Sequence, residues 1–180
     1  LIVRSVHKFD ASDVRESYKS AVKVTDRVSL CGATIRGNLD FRGCHFTRAG
    51  IDRDDSPSLF ADGMSVGGNV LLSDGFTAAA EVRLNGSAIK RNLDCSGAQL
   101  KNVEGYSLSA AGAAVSGSIF LCSTHAARGN AESDNVGFQS DGTLRLAGAT
   151  VTGEVKCDDG KFFARAFAAA GWRITDAPAE

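Results

Sequence analysis

VRLNGSAIKRNLDCSGA, from Val82 to Ala98, reads as one phrase said twice. Val82-Arg83-Leu84-Asn85-Gly86-Ser87-Ala88-Ile89 is answered, three residues later, by Leu93-Asp94-Cys95-Ser96-Gly97-Ala98-Gln99-Leu100. Each half opens with apolar residues two apart, meets a glycine, then a small residue, and closes on an apolar one. Alternation with period two is the signature of a strand with one buried face. The glycine after so short a run marks a turn rather than a longer strand.

The same design recurs along the chain. An apolar-x-Gly-polar-apolar phrase occurs at Ile35-Arg36-Gly37-Asn38-Leu39 and Val66-Gly67-Gly68-Asn69-Val70. It returns at Ile89-Lys90-Arg91-Asn92-Leu93, Val115-Ser116-Gly117-Ser118-Ile119 and Val151-Thr152-Gly153-Glu154-Val155. Val28, Leu59, Val82, Leu108 and Leu144 each stand 11 residues before the closing residue of one copy, and each has a Gly four residues on. Phe167–Ile174 matches the opening half once more, without a second half. First halves are separated by 31, 23, 26, 36 and 23 residues, so the bare unit is about 22 residues.

A strand of three to five residues cannot bury its apolar side alone. Stacked on its copy in the next repeat, it joins a parallel ladder with about 4.8 Å between rungs. The expected fold class is therefore all-β: a parallel β-helix (solenoid) of about 22 residues per coil, its two 11-residue halves facing across a narrow core. A coil of 11 residues is the competing reading. Extra residues at 47–58, 101–107 and 123–143 are read as loops leaving one shared corner. Ala33, Ser87, Ala98 and Ala149 are the small residues expected at tight corners. Gly37, Gly68, Gly117 and Gly153 are expected at positive φ, and Asn38, Asn69 and Asn92 are expected to stack as a ladder. Residues 11–23 read as an amphipathic helix with Val14, Tyr18, Ala21 and Val22 on one face and Asp10 or Ser12 as cap. The chain thus divides into an N-terminal helical cap, 1–26, and a β-helix of about five and a half coils, 27–180.

From Gly67 to Leu100 the chain resembles a family of bacterial repeat proteins whose phrase is G-G-x-V-x-L-x-x-G-F-x-A-x-G-E-V-R-L-x-G-A-x-I-G-G-x-L-D-C-S-G-A. Ala80 stands for the family's Gly, and Lys90-Arg91 for its Gly-Gly. The looser likeness extends from about Arg27 to Ile174. The family is similar in style to pentapeptide-repeat proteins and bactofilins, and the resemblance implies a β-helical scaffold. Its members are often labelled membrane-associated oxidoreductases. That label is not carried over, because no G-x-G-x-x-G fingerprint and no metal or haem motif occurs here.

Composition narrows the function. A net charge of −1 in 180 residues argues against binding driven by neutralising nucleic-acid phosphates. No apolar run reaches the ~20 residues that span a bilayer, and no secretory leader is read. The chain opens on Leu1, so a longer parent is allowed for. Five cysteines, an odd number without a C-x-x-C pair, are read as buried or half-buried free thiols in a reducing, cytoplasmic setting. His7, His45 and His125 share no metal-ligand spacing, and no metal or cofactor is expected.

Two sets of residues stand out. Arg48, Asp54 and Asp55 in the first long loop, with His125, Arg128 and Asp134 in the last, are candidates for ligand binding. Outward positions of one strand column are Asp40, Leu71, Asp94, Phe120 and Lys156. In it, Asp40 and Asp94 lie two coils apart, about 10 Å, a separation found in inverting glycosidases, but Leu71 stands between them. Leu71 and Phe120, with Trp172 in the last half-coil, are candidates for an interface. The leading expectation is a non-catalytic structural or interaction scaffold that forms a homodimer or higher homo-oligomer. The alternative is a carbohydrate-binding or carbohydrate-active β-helix with its site under the loops at 47–58 and 123–143. A glycan or a protein is the ligand class considered.

Overall fold

The computed structural model describes residues 22–47, 56–124 and 137–163, together with the backbone of the strand Arg173–Ile174. Most strands are two residues long, and every strand pairing is parallel. They assemble into three parallel sheets, a β-solenoid. Val82 lies between Leu59 and Leu108, Ile89 between Val66 and Val115, and Leu93 between Val70 and Ile119. Hydrogen-bonded partners on successive rungs are 23, 26, 31 and 36 residues apart. Those separations rule out a coil of 11 residues.

Each half of the phrase supplies two sides of the coil. The first ladder stacks Lys23–Val24, His45–Phe46, Thr77–Ala78, the start of Gln99–Ser109, the start of Gln139–Arg145, and Lys161–Phe162. The second stacks Val28–Ser29, Leu59–Phe60, Val82–Arg83 and the ends of Gln99–Ser109 and Gln139–Arg145. These two ladders form one nine-stranded sheet, because the two longer strands run through the corner between them. The third ladder runs from Thr34–Ile35 to Arg173–Ile174, and the fourth from Leu39–Asp40 to Val155–Lys156.

A two-residue side turns one side chain in and the other out. The inward columns make the core: Leu59, Val82, Leu108 and Leu144 on the second ladder, Val66, Ile89, Val115 and Val151 on the third. Phe46 packs edge-on between Phe41 and Phe76, with ring centroids 5.1 and 5.2 Å apart. Cys95 and Leu72 are wholly buried in one inward column with Leu121. The small corner residues Ser87, Ala98 and Ala149 are buried too, and Ala33, in the first coil, is half-buried.

The asparagine ladder exists, and it runs from side chain to main chain. Asn38 Oδ1 accepts from Asn69 N at 2.8 Å, Asn69 Oδ1 from Asn92 N at 3.1 Å, and Asn92 Oδ1 from Ser118 N at 2.9 Å. Ser118 Oγ accepts from Glu154 N at 3.1 Å and extends the series. This corrects the role expected of the neighbouring glycines. Gly37, Gly68, Gly117 and Gly153 are not at positive φ; Gly32, Gly63, Gly86, Gly112 and Gly148 are, at 62–67°. At Gly117 a Cβ would press on Asn92 Oδ1 and lie 2.8 Å from the Arg91 carbonyl. At Gly153 it would meet Ser118 Oγ at 2.5 Å and the Gly117 backbone at 2.9 Å. Glycine is needed there for room, because the polar side chain of the coil below fills the space over its Cα.

Other expectations also change. Lys23, the last residue of the segment read as a helix, lies in a strand paired with His45, ahead of the Arg27 boundary. No capping helix is seen among the described residues, and positions 1–21 lie outside them. Residues 139–143, read as loop, belong to the strand Gln139–Arg145, paired with Gln99–Ser109. The last long insertion therefore leaves between the fourth and first ladders, whereas 47–58 leaves between the first and second. The two loops do not share a corner; their anchors flank the first ladder. The shorter insertion, 101–107, is an irregularity in the strand Gln99–Ser109, with Val103 exposed and Asn102 Nδ2 donating to the Tyr106 carbonyl at 2.8 Å.

The two classes of glycine should fail differently. Gly117→Ala should cost about 1–3 kcal/mol by overpacking, and Asn92→Ala in the same chain should return part of that loss, a coupling expected of touching groups. Gly86→Ala, where no atom approaches within 4 Å but φ is +62°, should cost about 1–2 kcal/mol whatever residue 92 is. Chemical denaturation of the variants measures this; additive losses at 92 and 117 would contradict the packing account.

Candidate functional site

The outward column of the fourth ladder has the register expected: Asp40, Leu71, Asp94, Phe120 and Lys156 occupy successive rungs. Leu71 and Phe120 are half-buried. Asp40 is held by Arg42, with Oδ2 2.6 Å from Nη2 and Oδ1 2.9 Å from Nε. Burial alone would push the Asp40 carboxyl up, but the hydrogen bonds and charge of Arg42 outweigh it and hold it below the ordinary value. Asp94 Oδ1 accepts from Ser96 N at 2.9 Å, and Lys156 pairs with Glu154 at 3.1 Å. Asp40 is thus paired with a cation, Asp94 accepts a single backbone bond, and Leu71 separates the two on the ladder.

The expected ligand residues Arg48, Asp54, Asp55, His125, Arg128 and Asp134 lie outside the described residues, as does Trp172. The first ladder, between the loop anchors, carries His45, whose Nδ1 is 2.8 Å from Thr77 Oγ1.

The second ladder holds a cluster that sequence reasoning missed. Arg83 lies over the Phe60 ring, 5.1 Å from its centroid, and pairs with Asp62 at 2.8 Å. Its Nε is buried and finds no acceptor among the described residues. Arg145 lies over the Tyr106 ring at 5.4 Å. Asn85 Oδ1 accepts from Ser109 Oγ at 2.7 Å and from Ala111 N at 2.9 Å, while Asp62 Oδ1 accepts from Asn85 N at 3.0 Å. Glu81, half-buried beside them, has its carboxyl pushed up by burial and by the charge of Asp62, against the pull of Arg83 and Arg145. Phe60 and Arg83 occupy the same repeat position one copy apart, which is the signal that could have found the pair. The Asp62 contact joins a turn to the next rung's strand and has no such periodic mark.

All five cysteines are free. Cys95 and Cys122 are buried and Cys44 is half-buried, but Cys31 and Cys157 are exposed, where burial or half-burial was expected of all five. Cys157 shares the column of Cys95 but sits where the described column ends, and Cys31 sits on an outer turn. Burial, then the charge of Asp94, pushes the Cys95 thiol far up, and burial also raises Cys122. A thiol kept protonated is a poor nucleophile. Among the described residues no three His, Cys, Asp or Glu side chains gather as a metal-holding group, and no helix is long and apolar enough to cross a membrane.

No protein-family model, curated protein or solved structure matches the chain.

Because the carboxyl of Glu81 is raised, its contribution favours the fold at low pH and is lost as pH rises through its folded value. Glu81→Gln should therefore unfold at a higher denaturant concentration than the parent at pH 7, with the advantage shrinking toward pH 4. An advantage that grew on acidification would contradict the assignment.

Proposed function

We propose that this chain is a non-catalytic structural or interaction scaffold that associates with copies of itself, and that it belongs to the bacterial β-helical repeat proteins its phrase resembles. The observation that carries the reading is the outward column of the fourth ladder. There Leu71 and Phe120, large and apolar, occupy outward rungs on either side of Asp94. Solvent-facing strand positions are normally polar, and an aligned apolar pair on one flat face is how contact surfaces are marked. The rest of the repeat maintains coil shape: small corners, glycines stacked on polar rungs, and the buried thiols of Cys95 and Cys122. Light scattering across a concentration series should show mass rising above that of the monomer, with Phe120→Ser shifting the rise to higher concentration. A monomer at every concentration would refute self-association.

A second reading rests on a different face. The Phe60, Asp62, Glu81 and Arg83 cluster combines a ring, two carboxyls and a guanidinium whose buried Nε has no acceptor among the described residues. That mixture of donors, acceptors and ring faces suits a sugar. On this reading the chain is a carbohydrate-binding β-helix with its site on the second ladder. A glycan array should then give signals that Arg83→Ala abolishes, with a ligand-induced rise in melting temperature lost in the same variant. Silence across neutral and acidic glycans would end this reading.

A further inference from the structure

The third ladder, beside the fourth, differs from it in charge and relief. On three successive rungs its outward residues are Ser65, Ala88 and Ala114, in parallel register. Residues 33–38, 64–69, 87–92 and 113–118 contain no Asp or Glu, and the one acid of the equivalent segment 149–154, Glu154, is paired with Lys156. They do contain Arg36, Lys90 and Arg91, all exposed and without an ion-pair partner among the described residues. The fourth ladder carries the converse on the same three coils: Leu71, Asp94 and Phe120. Asp94 accepts a backbone hydrogen bond from Ser96 but pairs with no cation among the described residues.

We infer that the fourth-ladder face of one copy docks on the third-ladder face of a second copy, axes parallel and at the same height. This rests on the self-association proposed above and specifies its geometry. In register, Leu71 stands over Ser65 and Phe120 over Ala114, where small side chains leave room for large ones. Asp94 then faces Lys90 and Arg91 beside Ala88. The rung spacing is the same on both faces, about 4.8 Å, so all three contacts form at once. A like-to-like contact of two fourth ladders centred on Asp94 would instead bring two carboxylates together, and one centred on Phe120 would oppose Asp94 to Lys156, which Glu154 already pairs. Joining unlike faces is a heterologous contact, which repeats into a closed ring or an open filament. Faces two residues wide bury less than the roughly 800 Å² per partner of a standard interface. The association is therefore weak and, resting on charge, sensitive to salt.

Charge reversal tests this. Asp94→Lys makes the fourth face cationic against a cationic third face. Lys90→Glu with Arg91→Glu makes the third face acidic against an acidic fourth. Analytical ultracentrifugation at low salt should show each variant associating at least about tenfold more weakly than the parent, with the two restored to parental association when mixed. The parent itself should weaken about tenfold between about 0.1 M and about 1 M salt, as screening shortens. Circular dichroism would verify that both variants keep their β-structure. A parent that associates while the variants are unaffected, or variants whose loss is not restored on mixing, would overturn this geometry and leave self-association standing. A parent that stays monomeric would overturn both.

Discussion

Everything in this molecule depends on how closely one coil lies on the next. The spacing is that of neighbouring strands, and it is enforced at the third corner, where the side-chain carbonyl of Asn38, Asn69 or Asn92 takes the backbone N–H of the rung above. A bond of this kind contributes only about 1 kcal/mol net, and at the part-buried rungs of Asn92 and Ser118 leaving the N–H unanswered would add a desolvation cost. The same asparagine occupies the space over the next glycine's Cα. Polar rung and bare glycine are thus one device, and each explains the other's presence. Arg91 is the copy that breaks the pattern, and the Asn69–Asn92 bond beneath it, at 3.1 Å, is the longest of the three from an asparagine carbonyl to the backbone.

Close stacking also creates the functional surfaces. Each side of the coil is so short that it exposes little more than one outward column. Neighbouring sides can then differ in character on the same three coils: apolar and acidic on the fourth ladder, cationic and small on the third, aromatic with paired charges on the second. Because every rung repeats at the same height, any pattern written on one face is in step with the pattern on the next. This makes a solenoid suited to side-by-side contact, whatever partner it meets.

The repeat phrase made much of this legible. Val82-x-Leu84 and Leu93-x-Cys95 announced strands, and the 11-residue offset between halves announced the stack. The outward column of Asp40, Leu71, Asp94, Phe120 and Lys156 followed from counting alone. What counting misplaced was conformation. The glycines at 68, 117 and 153 were expected at positive φ, but they make room for a side chain of another coil, Asn38, Asn92 or Ser118, which lies 25 or more residues away. Likewise, residues 139–143 lack the glycine-bounded phrase, yet pair as a strand because Gln99–Lys101 offer an edge in register.

The sequence by itself determined the solenoid, its inward columns and its outward ones. Those features are periodic, and period is what a linear string can display. Only the tertiary structure decided which residues meet across unlike positions of the coil: Asp62 with Arg83, Tyr106 with Arg145. It also decided that the two long insertions flank the first ladder rather than share a corner. These contacts join positions with no common place in the repeat, so their geometry exists only once the coils are stacked.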